Sequence, residues 1–242
     1  MKKADYQQLH DAEQTYWWHV GRLAIIKKQL QKLQKKGLHS NAKILNIGAG
    51  TGGTIPTLEE FGEVTNADIS KTAIAYLRQA GFKANRVEGL ALPYRDSEFD
   101  LVGAFDVLEH IKEDQKALGE WYRVLKPGGY MIITVPAYQW LWSNHDEAMH
   151  HFRRYNRKQL KTKFKEMPVR IHKASYMIAF SFPLFIGHRL LRQRKNETKT
   201  SFVPVLPQIN QLFIHLLSVE GSMQKSINFP FGTSVLMVVR KD

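Results

Sequence analysis

Gly48, Gly50, Gly52 and Gly53 fall within six residues and close the apolar run Ile44-Leu45-Asn46-Ile47, and an acid, Asp68, ends the next apolar stretch, Val64 to Ala67. These residue types suit a nucleoside. Glycines let the backbone turn tightly and approach a ligand more closely than any side chain permits. A helix starting after them would turn its unpaired N–H groups toward that ligand. Asp68 can accept both hydroxyls of a ribose. Gly48, Gly50 and Gly53 also satisfy the G-x-G-x-x-G spacing of dinucleotide sites, so the loop alone leaves the nucleoside open.

A second group capable of chemistry is His145, Asp146, His150 and His151, within WLWSNHDEAMHHFRRYNRKQL (140–160). A His-Asp pair can orient a general base that removes a proton from a hydroxyl. A metal centre needs three or four ligands with outer support, and adjacent histidines usually point apart, so the expected site is metal-free. His151 is the first candidate base and His145 with Asp146 the next. His110, in VLEHI, is either a further base or a structural histidine.

The elements that must carry these residues alternate. Residues 5–36 predict a helix, with Leu23, Ile26, Leu30 and Leu33 on one face and Gly37 as its stop. Strands are expected near 43–47, 64–68, 83–87, 99–105 and 130–135, separated by helices near 53–62, 71–80 and 112–125. A basic helix at 157–166, a sixth strand at 168–174, a helix at 208–219 and a last strand at 234–240 follow. Such alternation predicts an α/β fold: a Rossmann-like, seven-stranded, mostly parallel sheet with helices on both faces. The expected division is an N-terminal helical cap over 1–40 and a main domain over 41–242, with a helical insertion over 176–230. The apolar run 174–187 is too short to span a bilayer; it reads as a packed helix or as an interfacial segment with basic anchors.

The absence of cysteine among the 242 residues excludes disulfides, thiolate metal sites and cysteine nucleophiles. The net charge of +13 is one-sided: residues 1–150 hold 18 basic and 18 acidic side chains, and residues 151–242 hold 17 and 4. That imbalance favours an anionic partner for the C-terminal third. The polar start, MKKADYQQLHDAEQ, does not read as a signal peptide, so the expected location is cytoplasmic, with peripheral association at the inner membrane surface as an option.

A single nucleotide loop at the front of such a sheet resembles the class I S-adenosylmethionine-dependent methyltransferases, and further segments sharpen the resemblance. EGLALPYRDSEFDLV (88–102) is similar to the family's adenine-cradling stretch, FDVLEHI (105–111) to its fourth-strand end, and VLKPGGYMIITVP (124–136) to its helix-turn-fifth-strand signature. EQTYWWHVGR (13–22) and the 140–160 loop resemble a type 11-like bacterial subgroup that methylates small molecules, lipids or saccharides. The resemblance implies S-adenosylmethionine as cofactor. It would be held by Gly48, Ala49, Gly50, Thr51 and Gly52, by Asp68 and Ile69, by Glu88, Gly89 and Leu90, and by Phe105 and Asp106. Trp18 and Arg22 would close over it from the N-terminal cap. Asn46 stands where the family usually has an acid, and because an amide can still accept a hydrogen bond it is counted among the cofactor-holding residues.

The implied activity is methyl transfer to a small-molecule, saccharide or lipid-linked acceptor, with O-methylation expected. RNA methylation is an alternative favoured by the basic C-terminal third. The missing cysteine excludes carbon-5 pyrimidine chemistry, and Phe105-Asp106-Val107-Leu108 replaces the Asp/Asn-Pro-Pro-Tyr type motif of amine methylation. A non-catalytic binding module at a membrane surface and an NAD-dependent oxidoreductase are the remaining alternatives; the latter lacks an evident nicotinamide-binding half.

Overall fold

The computed structural model describes residues 3–88, 90–184, 186–187 and 205–242. Strands β1 (Ala42–Ile47), β2 (Gly62–Asp68), β3 (Ala84–Arg86), β4 (Phe99–Phe105), β5 (Leu125–Pro136), β6 (Val169–Met177) and β7 (Ser234–Lys241) form one sheet. Its order is β3-β2-β1-β4-β5-β7-β6. Strands β1 to β5 pair in parallel, and β7 runs antiparallel to both of its neighbours. The chain order reverses between β1 and β4, which opens a crevice at their carboxyl ends.

Helices are α1 (Lys3–Thr15), α2 (Trp17–Gln34), α3 (Ile55–Glu59), α4 (Lys71–Gln79), α5 (Asp114–Val124), α6 (Asn144–Ala148), α7 (Arg157–Thr162) and α8 (Pro207–Met223). Side chains alternate across each strand, so both faces of the sheet are apolar. Leu45, Ile47, Val102, Ala104, Met131 and Ile133 meet α5 and Leu160 of α7 on one face. On the other, Ile44, Leu101, Tyr130 and Ile132 meet Ile25, Ile26, Leu30 and Leu33 of α2 and Leu217 of α8. Helix α2 is thus one of the layers covering the sheet. Its partner α8 crosses it where Gly21 lies against Leu217 and Gly221 against Ile25.

Four expectations change. The helix predicted over 5–36 is two, because Tyr16 is extended (φ −80°, ψ 129°). Asn210 of α8 fills that break, its Oδ1 accepting the Trp17 N–H and its Nδ2 donating to the Thr15 carbonyl, both at 2.8 Å. The helix after the glycine loop is confined to 55–59, between Pro56 in its first turn and the strand starting at Gly62. Strand β5 starts at Leu125, five residues early, because the backbone stays extended and paired to β4 on both sides of the Lys126–Gly129 turn. Finally, the apolar run from 174 is not helical at its start. Ala174 to Met177 complete β6 against β7, and the next three amides, of Ile178, Ala179 and Phe180, donate to the buried carboxylate of Glu220 on α8. The part of the expected insertion over 188–204 lies outside the described residues.

Candidate active site

Asp68 organises the glycine-loop side of the crevice. One carboxylate oxygen accepts the Gly50 N–H at 2.9 Å and the other the Ser70 N–H at 2.8 Å. The loop N–H groups of Gly48 and Ala49 both donate to the Ala67 carbonyl, at 2.8 and 3.1 Å. Gly48 is held at φ +69°, and a Cβ there would sit 2.4 Å from Val107. Gly50, at φ +56°, has only the Gly48 carbonyl oxygen near its missing Cβ, at 3.9 Å, so the loop presents bare backbone toward the crevice. The end of β3 is drawn in by the Val87 N–H, which donates to the Asp68 carbonyl. Beside it Ile69 and Leu90 keep 64% and 40% of their surface exposed, apolar faces next to a ribose-type carboxylate. Glu88 is exposed on the same rim. Gly89 lies outside the described residues.

Other residues implied by the resemblance do different work. Ala49, Thr51 and Gly52 are buried in the loop. Asn46 is 1% exposed, and its amide donates to Asn66 at 3.0 Å and Thr54 at 3.3 Å, joining β1 to β2 beneath the loop. Phe105 is buried in the core cluster under α2. A phenyl group at the end of an inward-facing strand position gains more from that apolar layer than from an open cleft.

The N-terminal segment lies over the loop. Glu13 of α1 accepts from the Thr51 hydroxyl and the Gly53 amide. Burial pushes its carboxyl above the usual carboxylate range, against the lowering effect of the Thr51 hydrogen bond. The carboxyl group at the start of this turn is therefore a side chain of the protein itself. Arg22 forms an ion pair with Asp106, and its guanidinium stacks over Trp18, 5.0 Å from the ring centroid. Trp17 points elsewhere, its ring centroid 4.9 Å from that of Phe213. Asp106 is also held by the Thr134 hydroxyl at 3.1 Å and occupies the left-handed region at φ +58°. This brings Trp18, Arg22, Asp106, the glycine loop and Asp68 to one crevice.

Immediately after β4 a single 3-10 turn, Leu108–His110, delivers Glu109 and His110. The loop after β5 reaches this turn because the Phe152 N–H donates to the Glu109 carbonyl at 2.8 Å. His151 then lies across His110, with ring centroids 4.5 Å apart and planes at 81°. The expected pairing of Asp146 with His145 is corrected: His151 Nδ1 is 2.9 Å from Asp146 Oδ1, whereas His145 is exposed, its ring centroid 6.3 Å from that of His151. One turn of helix separates the neighbours 145 and 146 onto different faces, and only the 146 face turns inward. Asp146 is fully buried and receives both arms of Arg154, at 2.7 and 3.0 Å, and the Ser143 N–H at 2.9 Å. Burial alone would raise its carboxyl; His151 and Arg154 bring it well below the usual carboxylate range. Burial and the neighbouring His151 push His110 down to about 4. Burial and the Asp106 charge raise Glu109 far above the carboxylate range.

Glu13 and Glu109 were not singled out from the sequence. For Glu109 a signal existed, since a carboxylate inside the apolar string Val107-Leu108-Glu109-His110-Ile111 is poorly placed for solvation. For Glu13 none did, because its role depends on the break at Tyr16.

Residues 45–133 match the family model described as a methyltransferase domain. A ubiquinone/menaquinone biosynthesis C-methyltransferase of Psychromonas ingrahamii is 31% identical over 118 residues, 43% of this chain and 47% of that one. The chain thus aligns with a little under half the length of that curated relative. Among solved structures, a SAM-dependent methyltransferase from Thermotoga maritima superposes with a TM-score of 0.58 at 17% identity, covering 98% of both chains. The 4+2 cyclase SpnF superposes at 0.56 with 18% identity, covering 88% of this chain and 80% of its own. Those likenesses establish the fold. With the sheet order and the matched segment, they define residues 45–133 as a class I S-adenosylmethionine-dependent methyltransferase domain. Its family cofactor fits the residues present: bare backbone at Gly50, the Asp68 carboxylate, and the apolar rim of Ile69 and Leu90.

Proposed function

We propose that the chain transfers the methyl group of S-adenosylmethionine to a hydroxyl oxygen of a small-molecule, saccharide or lipid-linked acceptor. The observation that carries this reading is the adjacency of two sites at one crevice. The loop and Asp68 end β1 and β2, and the Glu109, His110 and His151 cluster follows β4, the strand next to β1. The cofactor supplies an electrophilic methyl on a sulfonium. The glycine loop, Asp68, Ile69 and Leu90 hold the nucleoside, while Arg22 and Asp106 close the other end. Methyl transfer is an in-line displacement, so position and exclusion of water do most of the work. The acceptor proton leaves at the histidine cluster, where Asp146 fixes one nitrogen of His151 and leaves Nε2 for chemistry.

A lipid-linked acceptor is supported by the exposed apolar side chains Phe180, Leu184 and Phe231 near the end of β6 and by the basic C-terminal third. Peripheral binding to an anionic membrane surface is part of this reading. No helix among the described residues is long and apolar enough to cross a membrane. Carbon methylation is the second reading, favoured by the name of the Psychromonas relative.

The test is transfer of labelled methyl from S-adenosylmethionine to panels of glycans, polyprenyl alcohols and quinols, with the product resolved by mass spectrometry. We expect O-methylated product, and His151→Ala should lower kcat by about a hundredfold or more while cofactor affinity stays within about twofold. Label on carbon would replace the oxygen assignment, label only in added RNA would contradict the acceptor class, and full turnover by His151→Ala would remove that residue from proton transfer.

A further inference from the structure

The histidine cluster contains a group that the methyl-transfer reading leaves unexplained. Glu109 is completely buried, and no other residue among the described ones pairs with either of its carboxylate oxygens. Such a group is costly whether ionised or protonated, because one form needs donors and the other an acceptor. Its described surroundings do supply possible metal ligands. One ligand atom from each of Glu109, His110 and His151 lies within 4.8 Å of the other two. Among the described residues no other trio of histidines and carboxylates meets that condition.

We infer that Glu109, His110 and His151 form a divalent transition-metal site at the acceptor side of the crevice. Two imidazoles and one carboxylate suit the zinc, iron, cobalt and manganese class better than magnesium or calcium, which prefer all-oxygen shells. The outer shell is built for it. A metal-ligating histidine normally gives its second nitrogen to a carboxylate or carbonyl, which fixes the ring. His151 does so through Nδ1 to Asp146, itself clamped by Arg154 and Ser143. The His110 ring is within reach of the Met149 carbonyl. The Phe152 N–H to Glu109 carbonyl bond locks the two chain segments that contribute ligands. Three protein ligands leave open positions toward the crevice, where a hydroxyl of the acceptor can bind.

This proposal rests on the methyl-transfer reading and deepens it; it departs from the metal-free site expected from sequence. His151 Nε2 becomes a ligand. The acceptor hydroxyl loses its proton to water because the cation lowers its pKa. Its oxygen then forms the new bond to the methyl carbon as the sulfur–methyl bond breaks, the electron pair passing to sulfur and S-adenosylhomocysteine leaving. The metal is not oxidised or reduced.

The experiment titrates Co2+ into the chelator-treated full chain and follows its visible d–d absorption, with Zn2+ competition and the melting temperature read in parallel. One equivalent should bind, displaced by Zn2+, and should raise the melting temperature. Glu109→Gln keeps the side-chain volume and should weaken binding by about a hundredfold or more, and Asp146→Asn by about 10- to 100-fold through His151. S-adenosylmethionine affinity, measured separately, should be unchanged by chelation, and methyl transfer should be lost and restored by the cation. No saturable cobalt binding, or binding that Glu109→Gln leaves intact, overturns the site. A variant that fails to fold by circular dichroism is replaced by His110→Gln, for which the same loss is expected and the same retention would overturn the site. Failure of cofactor binding in the untreated protein would instead strike the methyl-transfer reading, since the metal titration does not depend on it.

Discussion

Asp68 accepts one backbone N–H on each carboxylate oxygen, from Gly50 and Ser70, and so shapes the loop that a ribose would share with it. Its position after an apolar strand was legible because a lone acid there has no other reason to be half-buried. Asp106 was singled out from the sequence, but its backbone conformation was not legible there. It sits at φ +58°, where a residue with a short polar side chain is tolerated and alanine is strained by about 1 kcal/mol. Two substitutions separate backbone from charge. Both Asp106→Asn and Asp106→Ala unpair Arg22 and should weaken cofactor binding alike, but Asp106→Ala should unfold at lower urea, by roughly 1 kcal/mol. Equal stability of the two variants would mean that the left-handed turn carries no strain. Asn46 could not be placed from sequence alone, because an amide reads the same whether it faces a ligand or a neighbouring strand; its Nδ2 donates to Asn66 across β1 and β2.

Helices α2 and α8 touch at Gly21, where a Cβ would meet Leu217 at 2.2 and 2.7 Å. Gly21→Ala removes a flexible residue from a helix, a gain of about 1 kcal/mol, yet overpacking costs about 1–3 kcal/mol. Thermal melts should therefore show destabilisation, and Leu217→Ala in the same chain should cost less than it does alone. Additive losses would place the two residues apart. The loop after β5 has its own anchor: Asp114 on α5 binds Lys163 at 2.8 Å, the Tyr155 hydroxyl at 2.9 Å and Arg153 at 2.9 Å. Burial opposes ionisation of Asp114, and Lys163, Tyr155 and Arg153 overcome it, holding the carboxyl below its ordinary value. A depressed native pKa stabilises the fold fully above the unfolded value, about 4, and that stabilisation is lost as pH falls through the lower native value. Asp114→Asn should cost about 2–4 kcal/mol at pH 7, and the gap to the parent should narrow below pH 4; a gap unchanged at pH 3 would refute the assignment. Neither contact was visible in sequence, because periodicity reports which face is apolar and says nothing of which helix will cover it.

Across the whole molecule, the alternation of apolar strands and amphipathic helices was enough to anticipate seven strands and two covered faces, since strands as continuously apolar as β1 and β4 must be buried on both sides. The N-terminal segment was less legible. No glycine or proline in its sequence marks the break at Tyr16, where Asn210, nearly two hundred residues away, caps both helix ends and lets α1 lie on the glycine loop. The same long-range assembly brings the loop after β5 to the turn after β4, so that one crevice carries the glycine loop with Asp68 and a histidine cluster. That crevice rests on its cofactor, and calorimetry on the full chain measures it directly. S-adenosylmethionine should bind with 1:1 stoichiometry and NAD should not, and Asp68→Ala should lose about 3–6 kcal/mol of binding, roughly 150- to 20,000-fold, from two hydrogen bonds to a charged acceptor. Absence of S-adenosylmethionine binding to the intact protein, or undiminished binding to Asp68→Ala, would contradict the account.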